Sequence, residues 1–380
     1  MNIAIPKENS KDEIRVPMLP VVVEKLVKKG AHITIETGLG ASLGITDAEY
    51  TKVGAFVEKN RKKLLASGDI VLRLRKPEEK ELPQLKKGAI HISYLDPFNE
   101  PKLLASFAKN KVSAISMEMI PRSTRAQKMD ALSSQASLAG YAAVLVAANN
   151  IAKIFPMMMT PAGTIQPSKV FIIGAGVAGL QAIATAKRLG AKVDAFDTRP
   201  IAKSDVLSLG AKFVEVDLGE TGQTAQGYAK ALTEEQLKKQ RDVMKQYCAA
   251  ADVVITTAQV FGRKAPIIVT HEMIDAMKPG SVVVDLAIET GGNVEGAELG
   301  KIVKKKGVKI IGLANMPARV AQNASLMYSN NLFNLLDEFW DKEKKKFDLK
   351  LDDDIIKGCL ITHGGAIVHP TFTEKKTEKK

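Results

Sequence analysis

Gly174, Gly176 and Gly179 follow an apolar run directly, in Lys169-Val-Phe-Ile-Ile-Gly-Ala-Gly-Val-Ala-Gly-Leu180. The chemistry this spacing allows is capture of a pyrophosphate. Gly174 permits a tight turn out of a strand. Gly176 has no Cβ, so the backbone can approach phosphate oxygens, and Gly179 lets a helix pack closely on the strand. The helix start at Val177 and Ala178 offers free N–H groups and the positive end of the helix dipole. Asp197 closes the next apolar run, 23 residues after Gly174. A carboxylate there accepts bonds from an adenosine ribose and repels a 2′-phosphate, which favours NAD(H) over NADP(H). Arg199 pulls the other way, since an Arg nearby can accept that phosphate. Three glycines alone also fit a plain βα turn. Strand, glycines, helix and distal acid in register are a specific signal.

A second polar group sits in Pro121-Arg-Ser-Thr-Arg-Ala-Gln-Lys-Met-Asp130-Ala-Leu-Ser133. Arg122, Gln127, Asp130 and Ser133 crowd the passage from an apolar run into a helical pattern. An Arg with a Gln amide can grip a pyrophosphate or a carboxamide. A capped interdomain loop with solvated charges accounts for the same residues equally well. Metal chemistry is not expected. Cys248 and Cys359 are the only cysteines and lie far apart, which fits a reducing compartment without disulfides or thiolate sites. His32, His271, His363 and His369 lack ligand spacing and read as surface or hairpin positions. Met157-Met-Met159 reads as packing, though soft side chains also suit mobile interfaces.

The net charge of +13 comes from short clusters, Lys62-Lys63, Lys304-Lys305-Lys306, Lys344-Lys345-Lys346 and the tail from Lys375. No basic stripe with interleaved aromatics accompanies them, so nucleic-acid binding is not expected. A solvated Lys-rich surface with a frayed tail fits best. Attraction of anionic dinucleotides, an acidic partner or a membrane face is the weaker reading. No apolar run reaches membrane-spanning length, and Leu138 to Ala152, with Asn149 and Asn150, reads as a buried helix. The first residues look like a strand and not a signal peptide.

The elements that must position these groups follow from periodicity. Strands are expected at 2–5, 31–36, 69–74, 89–94 and 112–118, with helices at 20–29 and 101–110 and a capping box at Thr46. A long helix is expected at 133–155, closely packed through its Ala and Gly and ended by Pro156. Strand 169–173, helix 177–189 and strand 192–196 make a βαβ unit, and further strands at 212–216, 252–257, 281–286 and 308–312 extend it to a doubly wound sheet. Strand-like runs at 347–351 and 358–368, the second turning at Gly364-Gly365, return to the first domain. The fold class is therefore α/β: two Rossmann-like domains with mostly parallel sheets and a nucleotide cleft between them. The expected division is 1–132 completed by 318–380, around 133–317.

Several segments together resemble a known family. Arg122-Ser-Thr-Arg-Ala-Gln-Lys-Met-Asp130, Gly174-Ala-Gly-Val-Ala-Gly179, Gly227-Tyr-Ala-Lys230, Lys278-Pro-Gly-Ser-Val-Val-Val-Asp-Leu-Ala287 and Gly291-Gly-Asn293 resemble the NAD(H)-binding component of proton-translocating NAD(P) transhydrogenases. The likeness runs from Ile3-Ala-Ile-Pro-Lys-Glu8 to Gly365-Ala-Ile-Val-His-Pro370. It implies a Si-specific/Re-specific transhydrogenase component active only with partners. Those partners would be an NADP(H)-binding subunit and a membrane proton-channel subunit, with this chain a cytoplasmic homodimer peripheral to the inner membrane. By position, Gln127, Lys128, Met129 and Asp130, with Arg122 and Ser133, look like the loop that holds the nicotinamide end. Tyr228, beside Gly227, looks like the tip of a mobile loop that closes over the nucleotide. Arg122, Gln127, Asp130, Ser133 and Tyr228 are thus expected at the reacting end. Gly174, Gly176, Val177, Ala178 and Gly179 would hold the pyrophosphate. Asp197, Thr198 and Arg199 would meet the adenosine ribose, and Asn315 would lie near the nicotinamide pocket.

The relatives include alanine dehydrogenases, the second reading. Arg15 matches their substrate-binding Arg, and their Lys falls on Arg75 or Lys76. Their acid/base His falls near Tyr94-Leu-Asp-Pro97, with His91 three residues earlier. Amino-acid oxidation needs a positioned acid/base; hydride exchange between two nicotinamides does not. Glu289 matches a dehydrogenase carboxylate and is expected to be structural here. A non-catalytic NAD(H)-sensing module is a third reading, in which the nicotinamide would be buried.

Overall fold

A computed structural model describes residues 1–217 and 233–373. The segment Leu218 to Lys230, with Gly227 and Tyr228, and the Lys-rich tail lie outside the described residues. The chain divides into two compact units, 1–135 with 320–380, and 136–319. Both carry mostly parallel sheets between helical layers, as expected.

In the first unit eight described strands lie in the order Ala366–Ile367, Leu360–His363, Ser113–Ser116, Ile90–Ser93, Ile70–Leu72, Asn2–Ile5, His32–Glu36, Phe56–Glu58. Among the described strands only Leu360–His363 runs against the rest, pairing antiparallel with both of its neighbours. The two C-terminal strands turn at Gly364-Gly365, both glycines with positive φ, and Leu360–His363 pairs with Ser113–Ser116. Ile3, Ile5, Ile70 and Leu72 enter one core, and Ala4 and Val71 enter the other. Alternate residues serve opposite layers, which is why these strands read as unbroken apolar runs.

The second unit has a sheet ordered Lys212–Phe213, Lys192–Phe196, Lys169–Ile173, Val253–Thr256, Val282–Asp285, Val308–Ile311, Ile302–Lys305. The order reverses between Lys169–Ile173 and Val253–Thr256, so a crevice opens outside the carboxyl ends of those two strands. Val170 and Ile172 pack below the sheet, Phe171 and Ile173 above it.

Several expectations need correction. The long helix spans Ala131–Asn150. Asp130 caps its start, accepting the Ser133 N–H at 2.9 Å. Lys309 Nζ donates to the Asn150 carbonyl at 2.6 Å and stops it short of Phe155. It is long and apolar enough to cross a membrane by composition. Its buried Ala142, Ala143, Val144 and Ala147, and Gln135 bonded to the Ala324 carbonyl, show a core helix instead. Of residues 347–351 only Phe347 is in a strand, a two-residue one paired with Trp340–Asp341. Asp353 accepts the Ile355 N–H and diverts the chain into a helix at Asp354–Cys359. His369 is buried, not at the surface: its ring nitrogens meet the Gly358 carbonyl at 3.1 Å and the Thr371 N–H at 3.2 Å. Unforeseen elements include the edge strand Ile302–Lys305, the hairpin Met158–Thr160 with Gly163–Ile165, the strand Phe56–Glu58 and the helices Arg61–Ser67 and Ala202–Ser208.

Candidate functional site

The glycine turn is built as the spacing requires. Gly174 sits at φ +97°, outside the range of other residues. Its N–H donates to the Phe196 carbonyl at 2.8 Å, and the Ala175 N–H donates to Asp197 Oδ2 at 2.8 Å. The first two strands of the βαβ unit are thereby locked at the turn. A Cβ on Gly179 would stand 1.8 Å from the Gly174 carbonyl oxygen, so the helix Val177–Arg188 can pack there only through a glycine. Gly140 plays the same role from the long helix, where a Cβ would stand 2.1 Å from the Ala178 oxygen.

Gly176 is different. Its φ of −79° suits any residue, and a Cβ there would meet nothing nearer than Arg199 Nη2 at 4.0 Å. Nothing inside the fold calls for a glycine at this place. The missing Cβ leaves a cradle at the helix N-terminus that a pyrophosphate fits.

Asp197 is the most engaged group of the site. Besides Ala175, its carboxylate accepts the Arg199 N–H at 2.8 Å, Nε at 2.9 Å and Nη2 at 2.8 Å. This hydrogen-bonded carboxylate raises the Arg199 pKa further. The guanidinium spends a fork of donors on Asp197, which weakens its claim as a 2′-phosphate ligand.

The polar loop lies in the first unit. Ala126 and Met129 are buried and anchor it, while Arg122, Gln127 and Lys128 are exposed. Asn331 and Asn334 each donate to the Lys128 carbonyl, at 3.1 and 2.9 Å, and Lys128 Nζ pairs with Glu338 at 2.7 Å. Asp130 and Ser133 are brought together, hydroxyl to carboxylate at 2.6 Å. Gln127 stands on a single 3-10 turn, Gln127–Met129. The loop is therefore a rigid mount for an outward amide.

Asn315, in the second unit, has a left-handed φ of +52°, held by its N–H donating to Glu289 Oε2 at 2.9 Å. Asp285 and Asn293, both buried, lie in the segments 278–287 and 291–293 that carry the resemblance, but the sequence assigned them no role. An Asp ending the wholly apolar run Val282-Val-Val-Asp285 was the available signal.

The dehydrogenase-like residues are spent on one another. Arg15 is buried, with Nε and Nη2 on Glu13 at 2.7 and 2.6 Å and Nη1 on Gln135 at 2.7 Å. Arg75 Nε shares Glu13 at 2.7 Å, and Lys76 pairs with Glu100 at 2.5 Å and Asp96 at 3.3 Å. Burial, helped by the Arg73 charge, pushes the His91 imidazole down to about 3. It is neutral at physiological pH and unfit as an acid/base. A stability consequence follows from the sign of this shift. The unfolded chain takes up the proton first, so stability is whole above about pH 6.5 and falls toward pH 3 by about 1.4 kcal/mol per unit. Urea midpoints at pH 6.5 and pH 5 should show the wild type losing about 2 kcal/mol more than His91→Leu. Equal losses would remove His91 as the cause.

Comparison with known proteins agrees with this geometry. The family model described as alanine dehydrogenase/PNT, N-terminal domain, matches residues 4–139, and its C-terminal counterpart matches residues 143–370. The chain is 46% identical over 380 residues to an NAD(P) transhydrogenase subunit alpha polypeptide of Rhodospirillum rubrum, covering 98% of this chain and 99% of that one. The crystal structure of transhydrogenase from Sinorhizobium meliloti superposes with a TM-score of 0.85 at 42% identity, covering 98% of this chain and all of that one. An L-alanine dehydrogenase structure superposes at 0.80 with 26% identity, covering 98% of each. The chain belongs to the alanine dehydrogenase/PNT family, as a relative of the NAD(P) transhydrogenase alpha subunits.

Proposed function

We propose that this chain is the NAD(H)-binding component of a proton-translocating transhydrogenase. Its partners are an NADP(H)-binding subunit and a membrane subunit that carries the proton, and it docks at the membrane only through them. The observation that carries the reading is the cradle at Gly176, open to a pyrophosphate and set in register with Asp197. When bound, NAD(H) supplies the nicotinamide carbon that gives or takes the hydride. Exchange between two nicotinamides moves no proton at that carbon, so the chain has only to bind, orient and exclude water. The fork of Arg15 on Glu13 and the neutral His91 count against the alanine dehydrogenase reading.

Val177 and Ala178 present helix-end N–H groups to the pyrophosphate, and Gly174 and Gly179 fix that helix against the strand. Asp197, Thr198 and Arg199 meet the adenosine ribose. Arg122, Gln127, Lys128, Met129, Asp130 and Ser133 orient the nicotinamide, and Asn315 is a further candidate for that end of the nucleotide. We further propose a homodimer. The hairpin around Met157, Met159 and Ile165 exposes these apolar side chains, and a lone hairpin is marginal in water unless something covers it.

The test is a spectrophotometric assay with NADH and an oxidised NADP analogue, with and without a purified NADP-binding component, and L-alanine plus NAD in parallel. Turnover only with the partner is expected; alanine turnover by the chain alone would overturn the reading. Gln127→Asn shortens an exposed amide by one methylene. It should slow reconstituted hydride transfer about tenfold with the melting curve unchanged. An unaltered rate would take Gln127 out of the site.

A further inference from the structure

The connection between the strand Val253–Thr256 and the helix cap Thr270 is long for an α/β unit and has no regular structure. Connections of this kind usually run about 2–6 residues, and longer ones tend to serve a ligand. It begins on the crevice side of the point where the strand order reverses. Its first residue, Thr257, donates its hydroxyl to the Gly174 carbonyl at 3.0 Å.

Its second residue is gripped from beneath. Asn293, fully buried, donates Nδ2 to the Ala258 and Pro266 carbonyls, each at 2.8 Å, and accepts the Ala258 N–H at 3.1 Å. One side chain fixes both polar groups of Ala258 and ties the two ends of the loop together. Asn293 is fixed in turn by Asp285, whose carboxylate accepts the N–H groups of Asn293, Val294 and Ala287 at 2.8, 3.1 and 2.9 Å. Thr256 adds its hydroxyl at 3.3 Å. The chain packs so closely here that a Cβ on Gly292 would stand 2.9 Å from Asp285 Oδ2. Burying a carboxylate and an amide is costly unless every bond is made. Apart from the Thr256 hydroxyl, those bonds are made to loop backbone.

A doubly wound sheet takes the two halves of a dinucleotide on either side of its switch point. Asp197 ends a strand on the adenosine side, so the loop from Thr257 walls the other half. We propose that Asn293, fixed by Asp285, is a positioning residue for the nicotinamide half of NAD(H), acting through the backbone of Ala258. This rests on the NAD(H) reading above.

Besides its bond from Thr257, the glycine turn is held from the adenosine side, through the Phe196 carbonyl and Asp197. Loosening the Thr257 loop should therefore spare ligands that occupy only the adenosine side. Titration calorimetry with NADH and with ADP on the full chain tests this. Asn293→Ala should raise the NADH Kd about tenfold and change the ADP Kd by less than about twofold. Asn293→Ser, which shortens the side chain away from the Ala258 and Pro266 carbonyls, should shift NADH alone by about threefold, and it decides the matter should Asn293→Ala not fold. Parallel weakening of both ligands, or an unchanged NADH Kd, would overturn the proposal. A wild-type chain that binds neither ligand would instead sink the NAD(H) reading itself, and the proposal with it.

Discussion

Gly176→Ala will leave the chain folded and cost it NADH, whereas Gly179→Ala will cost it both. The two glycines stand in one motif and answer to different neighbours. An alanine methyl at 179 would lie 1.8 Å from the Gly174 oxygen and 2.8 Å from its carbonyl carbon. Both are backbone atoms of a turn at φ +97° that is pinned to Phe196 and Asp197. No rotamer change relieves such a contact. Alanine gains about 1 kcal/mol over glycine inside a helix, but overpacking of a fixed backbone costs about 3 kcal/mol, so the steric term wins. At 176 a methyl meets open space, and the loss of a glycine N-cap costs at most about 1 kcal/mol. The same methyl would stand where phosphate oxygens must approach, and the NADH Kd should rise about a hundredfold. Thermal melts and NADH titrations on the two variants separate the effects. A Gly176→Ala chain that binds NADH normally would mean that no pyrophosphate lies at this turn.

What the sequence disclosed and what it hid divide along physical lines. The strands Lys169–Ile173 and Lys192–Phe196 match their expected bounds because each is buried on both faces and flanked by Gly. Thr46 declared its helix because a capping box is a local code, and both of its reciprocal bonds form. The edge strand Ile302–Lys305 was hidden because an exposed edge tolerates lysines in place of an apolar run. Met158–Thr160 was hidden because all three residues are exposed. Residue types at the glycine turn and the 122–133 loop were legible. Their partners were not: nothing local to Asp285 says that Asn293 will lie on it, nor to Arg15 that Glu13 will occupy it from two positions away. Such pairs are set by tertiary packing, and a buried charge leaves no periodic trace.

A large loss of stability of electrostatic origin is expected from Arg73→Met in the first unit. Arg73 is almost wholly buried, with Nη1 on Glu81 at 2.6 Å and Nη2 3.6 Å from Glu8. Glu81 also takes Arg61 Nε at 2.7 Å, and Arg61 reaches on to Glu36 at 2.5 Å. Although burial alone would raise it, the bonds from Arg61 and Arg73 bring the Glu81 carboxyl down to about 2. Burial dominates at Glu8 and raises its pKa, with Arg73 the chief opposing charge. Methionine fills most of the volume of the side chain but leaves Glu8 without its cation and Glu81 with Arg61 alone. Breaking a buried pair from one side costs about 3–5 kcal/mol, more than its formation gains, because an uncompensated charge stays inside. The pH dependence identifies the cause. Without Arg73 the Glu8 carboxyl, already raised by burial, loses its chief opposing charge and binds its proton still more tightly in the folded state than in the unfolded one, while Glu81 keeps Arg61. The variant's deficit should therefore shrink as pH falls from 7 toward about 5, as the folded Glu8 carboxyl takes up its proton. Urea unfolding of both chains across that range checks it. A deficit below about 1 kcal/mol, or one that stays constant with pH, would mean that the buried carboxylates find other partners when Arg73 is gone.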